Sequence, residues 1–361
     1  MAQDGRLLSL DIFRGMTIAG MIVVNSPGNN TAYAGLSHSH WNGCTFADLV
    51  FPFFLFIAGT ALDFSFARRR APISAVSRRA GVLIALGFLL NAIPNYQLAT
   101  FRFAGVLQRI ALCYTAVALL LLTSGLRTRV AVTTGILVGY WLLMTRVPVP
   151  GFGAGVLTPE GSLASYLDRR LFGAHTYFKG PFDPEGFLST FPAVATTLLG
   201  QFAGAWLRSG RSPKERTRWL AAAGISGLVL GLLWGRWFPV NKSLWTSSYV
   251  LVTGGGAAAL LAALYWTVDV RGWKAWSKPF EVFGTNAIAA YVLHLLLLKT
   301  LVYTRIDVGG GPVSPRILLC DALFGTWLSP LNASLAFALA YAGFWLAVLS
   351  AFYRRKLFLK V

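Results

Sequence analysis

Apolar stretches recur along the whole chain of 361 residues, and they restrict its fold more than any other feature. A helix needs about 20 apolar residues to cross a bilayer core, and the alternating pattern of outer-membrane strands is absent. The sequence therefore predicts an all-α polytopic membrane helix bundle that forms a single domain over residues 1–361. We predict about ten transmembrane helices, with ends defined to about four residues, at roughly 8–27, 45–67, 77–95, 102–124, 128–147, 189–208, 217–237, 246–268, 279–302 and 332–353.

A shorter apolar piece at 316–328 falls below the roughly 17 residues that a span requires, and it is predicted to be re-entrant or interfacial. A connection at 148–188 is rich in Pro and Gly, and such long connections are usually functional or disordered. Glycines at four-residue spacing predict close packing between helices. They are Gly200 and Gly204, and Gly227, Gly231 and Gly235.

Basic residues predict the orientation of the bundle. Most of the 32 Lys and Arg residues lie at the chain ends and in the loops after spans 2, 4, 6 and 8. The positive-inside rule makes that side cytoplasmic, so both termini are expected in the cytoplasm, which agrees with an even number of spans. The same placement, with contact to anionic lipid, explains the net charge of +19, and no nucleic-acid partner is expected. The three cysteines lack metal-ligand spacing, so neither a metal nor a disulfide framework is expected.

Residues 37–56 place titratable groups at the mouth of a predicted span. His38 and His40 precede the apolar run, and Asp48 lies in its first turns. Such groups are costly at the mouth of a membrane helix and usually have a task. Imidazole suits proton or acyl transfer near neutral pH. The pattern indicates a candidate catalytic site, although Asp48 can instead favour the start of its helix through the helix dipole, and His40 can be a solvated loop residue.

Further polar residues lie inside or beside the predicted spans. Each of them either forms a hydrogen bond or ion pair that fixes packing, or lines a polar passage through the bundle. A transporter, a channel and a membrane-embedded transferase would all carry such a passage. An arginine as deep as Arg109 should face the protein interior or a wet cavity. The full set is Asp11, Arg14, Asn25, Gln108, Arg109, Asn286 and His294, with Asn241, Lys242, Trp245 and Tyr249 around the outer start of span 8.

Several short segments, in order along most of the chain, resemble the transmembrane acetyltransferase family of lysosomal heparan-α-glucosaminide N-acetyltransferase and its bacterial relatives. Each segment alone is weakly specific, whereas the ordered set is specific. We expect no counterpart of the lumenal domain and the extra leading span of the lysosomal enzyme, so recognition of a glycan chain is not expected to carry over. The matching residues are Ser9 to Gly15, Val24 and Asn25, His38 to Pro52, Gly105 to Arg109, Asp183 to Gly186, Pro239 to Trp245, Asn286, Tyr291 and His294.

The resemblance implies transfer of an acetyl group from cytosolic acetyl-CoA, as co-substrate, to the amino group of a glucosamine on the far side of a bacterial inner membrane. The family's active histidine stands three positions before the Trp of Trp-Asn-Gly, which makes it His38. The additional His40 departs from the family pattern. Asn25 matches an asparagine near that histidine. The expected partners are an amino sugar, membrane lipid and, as a homodimer, a second copy of the chain.

We expect His38 either to take the acetyl group or to remove a proton from the attacking amine. Asp48 would orient its imidazole, and Asn25 would donate to the carbonyl oxygen as charge develops. The acetyl-CoA site is expected to include Asp11, Arg14, Gln108, Arg109, Asn286 and His294, with Arg14 at the phosphates. The sugar site is expected to include Trp41, Asn42, Asp183, Glu185, Asn241, Lys242 and Trp245.

Weaker alternatives stay open. Asp183 and Glu185 lie in the turn at 182–186 and can serve that turn alone. An amino-sugar transporter would use the same polar passage without chemistry, and it would release no CoA. An O-acyltransferase of an envelope polysaccharide would prefer hydroxyl acceptors, so that glucosamine and N-acetylglucosamine would distinguish it from an N-acetyltransferase.

Overall fold

The computed structural model describes residues 7–68, 72–94, 96–177, 180–309 and 311–358, and it confirms the predicted all-α polytopic bundle. Two short antiparallel hairpins, β1–β2 (Pro148–Val149, Gly153–Ala154) and β3–β4 (Ile306–Asp307, Pro312–Val313), are the strands within these residues. The helices are α1 (Leu8–Asn25), α2 (Phe46–Arg68), α3 (Ile73–Asn91), α4 (Val106–Thr123), α5 (Leu126–Arg146), α6 (Leu163–Phe172), α7 (Thr190–Leu207), α8 (Pro213–Trp234), α9 (Ser247–Leu264), α10 (Lys278–Thr285), α11 (Ala287–Tyr303), α12 (Pro315–Cys320) and α13 (Pro330–Arg354).

The number of long apolar helices is lower than the ten spans that the sequence predicts. In the described part of the chain, eight single helices are long and apolar enough to cross a membrane, and α10 with α11 forms a ninth candidate that is bent by 73°. Helix α7 occupies the sixth predicted span but is not among them. It carries Thr196, Thr197 and Gln201, all buried against neighbouring helices, so this helix is shielded by protein and does not need a fully apolar surface.

The predicted ninth span, 279–302, is broken at Asn286, between α10 and α11. The piece at 316–328 contains α12 and a π-helical turn (Asp321–Gly325), which together are too short to cross a bilayer. Four of the basic residues on which the predicted orientation in the membrane rests lie outside the described residues. They are Arg6, Arg69, Arg70 and Lys360. The cytoplasmic placement of the termini stays a prediction.

Glycine allows the helix axes to approach closely at several crossings. A Cβ atom built on Gly200 of α7 would lie 1.9 Å from the carbonyl oxygen of Phe56 in α2, and one built on Gly59 would meet Thr197 in the same way. Gly204 faces Thr60, whereas Gly227 and Gly231 of α8 face the backbone of α9. The predicted packing role is therefore confirmed for four of the five spaced glycines. Gly235 instead follows the end of α8 and lies against Val240.

The helices run alternately up and down, which brings particular ends together. Gly20 in the second half of α1 packs on Phe46 at the start of α2, and Lys299 of α11 donates to the carbonyls of Leu90 and Ile93 at the end of α3. The end of α1, the starts of α2 and α4, and the loop before α9 therefore share one end of the bundle. The first half of α1, the end of α2 and the start of α3 share the opposite end.

Candidate functional site

A cavity of about 490 Å³ lies between α1, α2, α3, α4 and the break before α11. Along α2 its lining extends from Ala47 to Ser65, which corresponds to a length of about 27 Å at 1.5 Å per residue. Its middle is lined mainly by apolar side chains such as Val50, Phe54 and Ile57. Polar residues concentrate at the two ends. The cavity is therefore long enough to connect the two ends of the bundle.

His38 lies at one end of this cavity and forms a close pair with Asp48. Its Nδ1 atom is 2.8 Å from Asp48 Oδ1, and its side chain is 52% exposed, whereas that of Asp48 is 1% exposed. Because Nδ1 faces a carboxylate, the tautomer that fits carries the proton on Nδ1 and leaves Nε2 with a free lone pair. The arrangement can present an unprotonated imidazole nitrogen to a molecule in the cavity.

Asp48 is held firmly where α2 begins. Its second oxygen, Oδ2, accepts hydrogen bonds from the backbone amides of Ser39 (3.1 Å) and Thr45 (3.0 Å) and from the Thr45 hydroxyl (3.1 Å). The Thr45 hydroxyl also contacts the carbonyl of Ser37, and Tyr249 donates to the backbone carbonyl of Asp48 at 2.6 Å. The carboxylate thus fixes the histidine loop as well as the imidazole. Asp48 also lies in the first turn of α2, so the helix-dipole alternative stays open beside these specific contacts.

His40 and Asn25 are placed differently from His38. His40 is exposed and does not line the cavity, whereas His38 does. Of the two histidines in this loop, the geometry therefore favours His38 as the residue that meets a ligand. Asn25 is the last residue of α1 and lies on the cavity wall at the same end as His38. The structure therefore brings together the three predicted catalytic residues, although their roles stay predictions.

Lys242 and Glu185 complete this end of the cavity. The Lys242 Nζ atom lies 3.1 Å from His38 Nδ1, 3.4 Å from His38 Nε2 and 3.6 Å from Asp48 Oδ1. Burial lowers the pKa of the Lys242 ammonium from its usual range, and the charges of Asp48 and Glu185 oppose that change. The site thus carries a cation and a carboxylate beside the imidazole.

The opposite end of the cavity carries two arginines. Arg14 forms a 3.2 Å ion pair with Asp11 and reaches the carbonyl of Gly284 at the end of α10. Arg79 of α3 lies with its guanidinium 4.8 Å from the centre of the Tyr114 ring, and both line the cavity. The sequence grouped Arg79 with the loop charges. Its position inside the predicted third span was the signal that could have indicated a site residue.

Asp183 lies behind the cavity wall and is bound by other residues of the protein. Arg102 grips its carboxylate through two nitrogens, at 2.8 and 2.5 Å, and also pairs with Glu185. Asp183 also accepts from the backbone amides of Tyr177 and Glu185. It is buried and does not line the cavity, whereas Glu185 does. Of this predicted pair, only Glu185 can meet a ligand in the cavity.

Arg109 is fully buried and lies outside the cavity lining. Its Nη2 atom donates to the carbonyl of Gly186 (3.1 Å) and to the Ser189 hydroxyl (2.5 Å), and its guanidinium lies 5.1 Å from the centre of the Trp245 ring. Its Nε and Nη1 atoms have no hydrogen-bond partner within the described ranges. Arg109 therefore joins the loop that carries Glu185 to the loop that carries Lys242, and its expected role at acetyl-CoA stays a prediction.

The remaining predicted sugar residues tie these loops together. Asn241 donates to the Asn42 side chain (3.1 Å), and the Gly43 amide donates to the Val240 carbonyl (2.7 Å). Trp41 donates to the Leu157 carbonyl. Trp245 is 1% exposed, adopts a φ of 52° and donates to the Thr196 hydroxyl. These residues do not line the cavity, so the structure gives them no direct access to a ligand there.

Three predicted acetyl-CoA residues also lie off the cavity. Gln108 packs against Gly87 and Gly105, where an added Cβ would lie within 2.6 Å of its amide oxygen. Asn286 donates to the Leu357 carbonyl, and His294 Nδ1 is 2.9 Å from the carbonyl of Ala290. Tyr291, one turn before His294, does line the cavity. Of the residues predicted to bind acetyl-CoA, Arg14 lines the cavity, whereas most of the others do not.

Comparison with known proteins adds an independent result. The family model described as "Heparan-alpha-glucosaminide N-acetyltransferase, catalytic" matches residues 6–237. The heparan-α-glucosaminide N-acetyltransferase of Homo sapiens is 31% identical over 80% of this chain and 52% of its own length. The same enzyme of Mus musculus is 32% identical over 81% and 54%. The chain spans about half the length of the curated relatives it matches.

Proposed function

Because the chain is an integral membrane protein that belongs to the heparan-α-glucosaminide N-acetyltransferase catalytic family, we propose that it is a transmembrane acetyltransferase. In this proposal the donor is acetyl-CoA and the acceptor is the amino group of a glucosamine-type sugar. The donor enters from the cytoplasm at the Arg14 end, and the acceptor reaches His38 on the other side of a bacterial inner membrane. The supporting observation is the cavity that connects two arginines at one end with the His38–Asp48 pair at the other.

The two arginines suit the nucleotide part of acetyl-CoA. Guanidinium groups form paired hydrogen bonds with phosphate oxygens, and acetyl-CoA carries several phosphates on its nucleotide. Arg14 and Arg79 lie on different helices and face the same cavity end. The apolar middle of the cavity, with Val50 and Phe54, suits the pantetheine arm. In this position the thioester lies toward His38.

His38 then acts through Nε2, the nitrogen that Asp48 leaves without a proton. Nε2 either attacks the thioester carbonyl and displaces the CoA thiolate, or takes a proton from the amine as it attacks. Asp48 stabilises the imidazolium that forms in either route. Asn25 donates to the carbonyl oxygen as negative charge develops, and the loss of such a donor typically costs about 3–4 kcal/mol of barrier.

The charged groups beside His38 act on the acceptor amine in two ways. Glu185 can accept a hydrogen bond from the amino group, whereas the Lys242 cation disfavours a second cation nearby. The Lys242 cation therefore favours the neutral, nucleophilic form of the acceptor amine, whereas the carboxylates of Glu185 and Asp48 favour its ammonium form. Lys242 can also donate to a sugar hydroxyl. Asp183 and Arg109 act as positioning residues behind this surface, because they hold the loop that carries Glu185.

The proposal is tested with purified protein in detergent micelles, acetyl-CoA labelled in the acetyl group, and glucosamine. We expect release of CoA and labelled N-acetylglucosamine, with both products lost in His38→Ala. The His40→Ala variant is the matched control and should keep wild-type turnover, because His40 lies off the cavity. With the protein reconstituted in lipid vesicles, movement of glucosamine into the vesicles without CoA release would instead indicate a transporter. Acetylation of N-acetylglucosamine would indicate an O-acyltransferase.

The same material distinguishes the two routes. Labelled acetyl-CoA is added without any sugar, and the protein is then separated from free coenzyme. Label that stays on the wild type and is absent from His38→Ala supports an acetyl-histidine intermediate. Turnover without retained label supports direct attack.

A further inference from the structure

Lys242 is a primary amine held beside the imidazole that handles the acetyl group. Its Nζ atom lies 3.4 Å from His38 Nε2. Reacting atoms in productive complexes are typically about 3–3.5 Å apart. An acetyl carbon delivered to Nε2 would therefore arrive within reach of a second amine that belongs to the protein itself.

The loop that carries Lys242 keeps this amine in place. Asn241, the preceding residue, accepts from the Leu244 amide (2.8 Å) and donates to Asn42. The Asn241 amide donates to the Thr246 hydroxyl, and the Thr246 amide donates to the Asn241 carbonyl. These bonds leave the Lys242 side chain directed to the cavity, where it is 19% exposed. Its approach to His38 follows from the loop geometry.

We propose that Lys242 is a self-acetylation site, modified by the acetyl group at His38 when no sugar occupies the acceptor position. The inference rests on the proposed function. The Lys242 lone pair attacks the acetyl carbonyl carbon, a C–N bond forms to Nζ, and the bond to the leaving group breaks. The leaving group is the imidazole Nε2 or the CoA thiolate, according to the route, and the proton lost by the amine goes to it or to water. The overall change is acetyl-CoA plus lysine to CoA plus acetyl-lysine.

Two features of the site decide how readily this happens. Asp48 pairs with Lys242 at 3.6 Å and favours the ammonium form, which cannot attack. Burial favours the neutral amine, which can. The groups that face the amine are His38, Asp48, Glu185 and Cys44, and the negative charges among them oppose the effect of burial. The product is an uncharged amide that fills the space an acceptor amine must enter.

The test uses purified protein with acetyl-CoA and no sugar, followed by peptide mass spectrometry. We expect a mass increase of one acetyl group on Lys242 in the wild type. His38→Ala should lack it, and glucosamine in excess should reduce it. Lys299 is the matched internal control, since it is a half-buried lysine whose Nζ contacts only the end of α3 among the described residues, and it should stay unmodified. Acetylation of Lys242 at the wild-type rate in His38→Ala, or acetylation of Lys299 to the same extent, would overturn the inference.

A second measurement follows turnover after preincubation with acetyl-CoA alone. Wild-type turnover should fall as the modified fraction rises, whereas Lys242→Arg, which carries no acylable amine, should keep its own starting rate. A wild type that makes N-acetylglucosamine yet leaves Lys242 unmodified would refute self-acetylation while leaving the proposed function intact. A wild type that never releases CoA would refute the proposed function itself.

Discussion

The Asp48→Asn substitution separates the two tasks that the structure gives to this carboxylate. In the wild type, Oδ2 accepts from the amides of Ser39 and Thr45, and Oδ1 faces His38 Nδ1. The introduced asparagine can keep its oxygen on the two amides and turn its NH2 group to His38. It then donates to Nδ1, which forces the imidazole proton onto Nε2. The nitrogen that should face the acetyl group loses its free lone pair.

The size of the effect follows from the alternative orientation of the introduced amide. Turning its oxygen to His38 would restore the active tautomer but would point the NH2 group at two backbone amides. Leaving those two donors unsatisfied costs about 1–3 kcal/mol each, or about 2–6 kcal/mol together. That range corresponds to a loss of about 30-fold to 10⁴-fold in kcat. Because His38 is half-exposed, its ring can also leave the asparagine side chain and bond to water, so we expect about 10²-fold to 10³-fold.

The assay is CoA release under saturating acetyl-CoA and glucosamine, combined with thermal unfolding of the same samples. Asp48→Asn should lose kcat with a change in stability below about 1 kcal/mol, because the amide hydrogen bonds persist. Asp48→Ala should lose both, since its oxygens disappear. The chain has four histidines, so ¹⁵N spectra of the imidazoles can report the tautomer directly. An Asp48→Asn protein with kcat within about threefold of wild type would refute tautomer control by Asp48.

Three further predictions concern other parts of the molecule. Arg79→Gln should raise the KM for acetyl-CoA about 10-fold to 100-fold, because a charge-assisted contact with phosphate is lost. Arg78 lies off the cavity, so Arg78→Gln should leave this KM unchanged. Equal effects of the two substitutions would contradict the placement of the phosphates at Arg79. Burial raises the pKa of the Asp168 carboxyl to about 6, although two backbone hydrogen bonds act to lower it. The contribution of this group to stability is therefore present below the usual carboxyl range and is lost as pH rises through about 6. Asp168→Asn should remove that pH dependence from thermal unfolding. Gly200→Ala should destabilise the bundle by about 1–3 kcal/mol through a clash with α2, whereas Gly139→Ala, with open space around it, should be neutral or slightly stabilising.

The sequence predicted the helical architecture well because length and hydropathy act locally. Each of the ten predicted spans contains a helix, since a bilayer requires the same run of apolar residues wherever it occurs. It did not predict the break at Asn286, because a single Gly284 before polar Thr285 and Asn286 is also compatible with a continuous, closely packed membrane helix. It also could not show that α7 is enclosed by other helices, since enclosure depends on contacts between distant parts of the chain.

The candidate site was predicted in part from the sequence. Residues that cluster in one short segment were found, whereas contacts between distant segments were not. The cluster of His38 and Asp48 was visible because both lie in one short segment beside an apolar run. Arg109 was expected at the coenzyme because an arginine inside a span usually marks a function. Its partners Gly186 and Ser189 are about 80 residues away, so no local pattern could reveal them. Arg79 was missed for the opposite reason, since an arginine near a span end resembles an orientation signal.

Arg79 and Arg109 show that polar residues in this bundle form two layers with different tasks. Arg14 and Arg79 face the cavity, where they can be solvated or bind an anion. Arg109 faces protein, and its burial costs free energy that a neutral residue would avoid. The contacts of the guanidinium offset this cost, and few other side chains could make all of them. One guanidinium reaches the Gly186 carbonyl and the Ser189 hydroxyl while its face lies on Trp245.

Lysine in place of Arg109 could still donate to Gly186 and Ser189 but would lack the planar face that lies on Trp245, so it could hold one loop but not both. Arg109→Lys should therefore leave the helices folded and still weaken catalysis, because Glu185 and Lys242 belong to the two loops that the arginine joins. Kinetics can identify this: the KM for the sugar should rise and kcat should fall, while the KM for acetyl-CoA stays near the wild-type value, since Arg14 and Arg79 are untouched. A selective rise in the KM for acetyl-CoA would show instead that the guanidinium reaches the coenzyme, and the separation into two layers would be wrong.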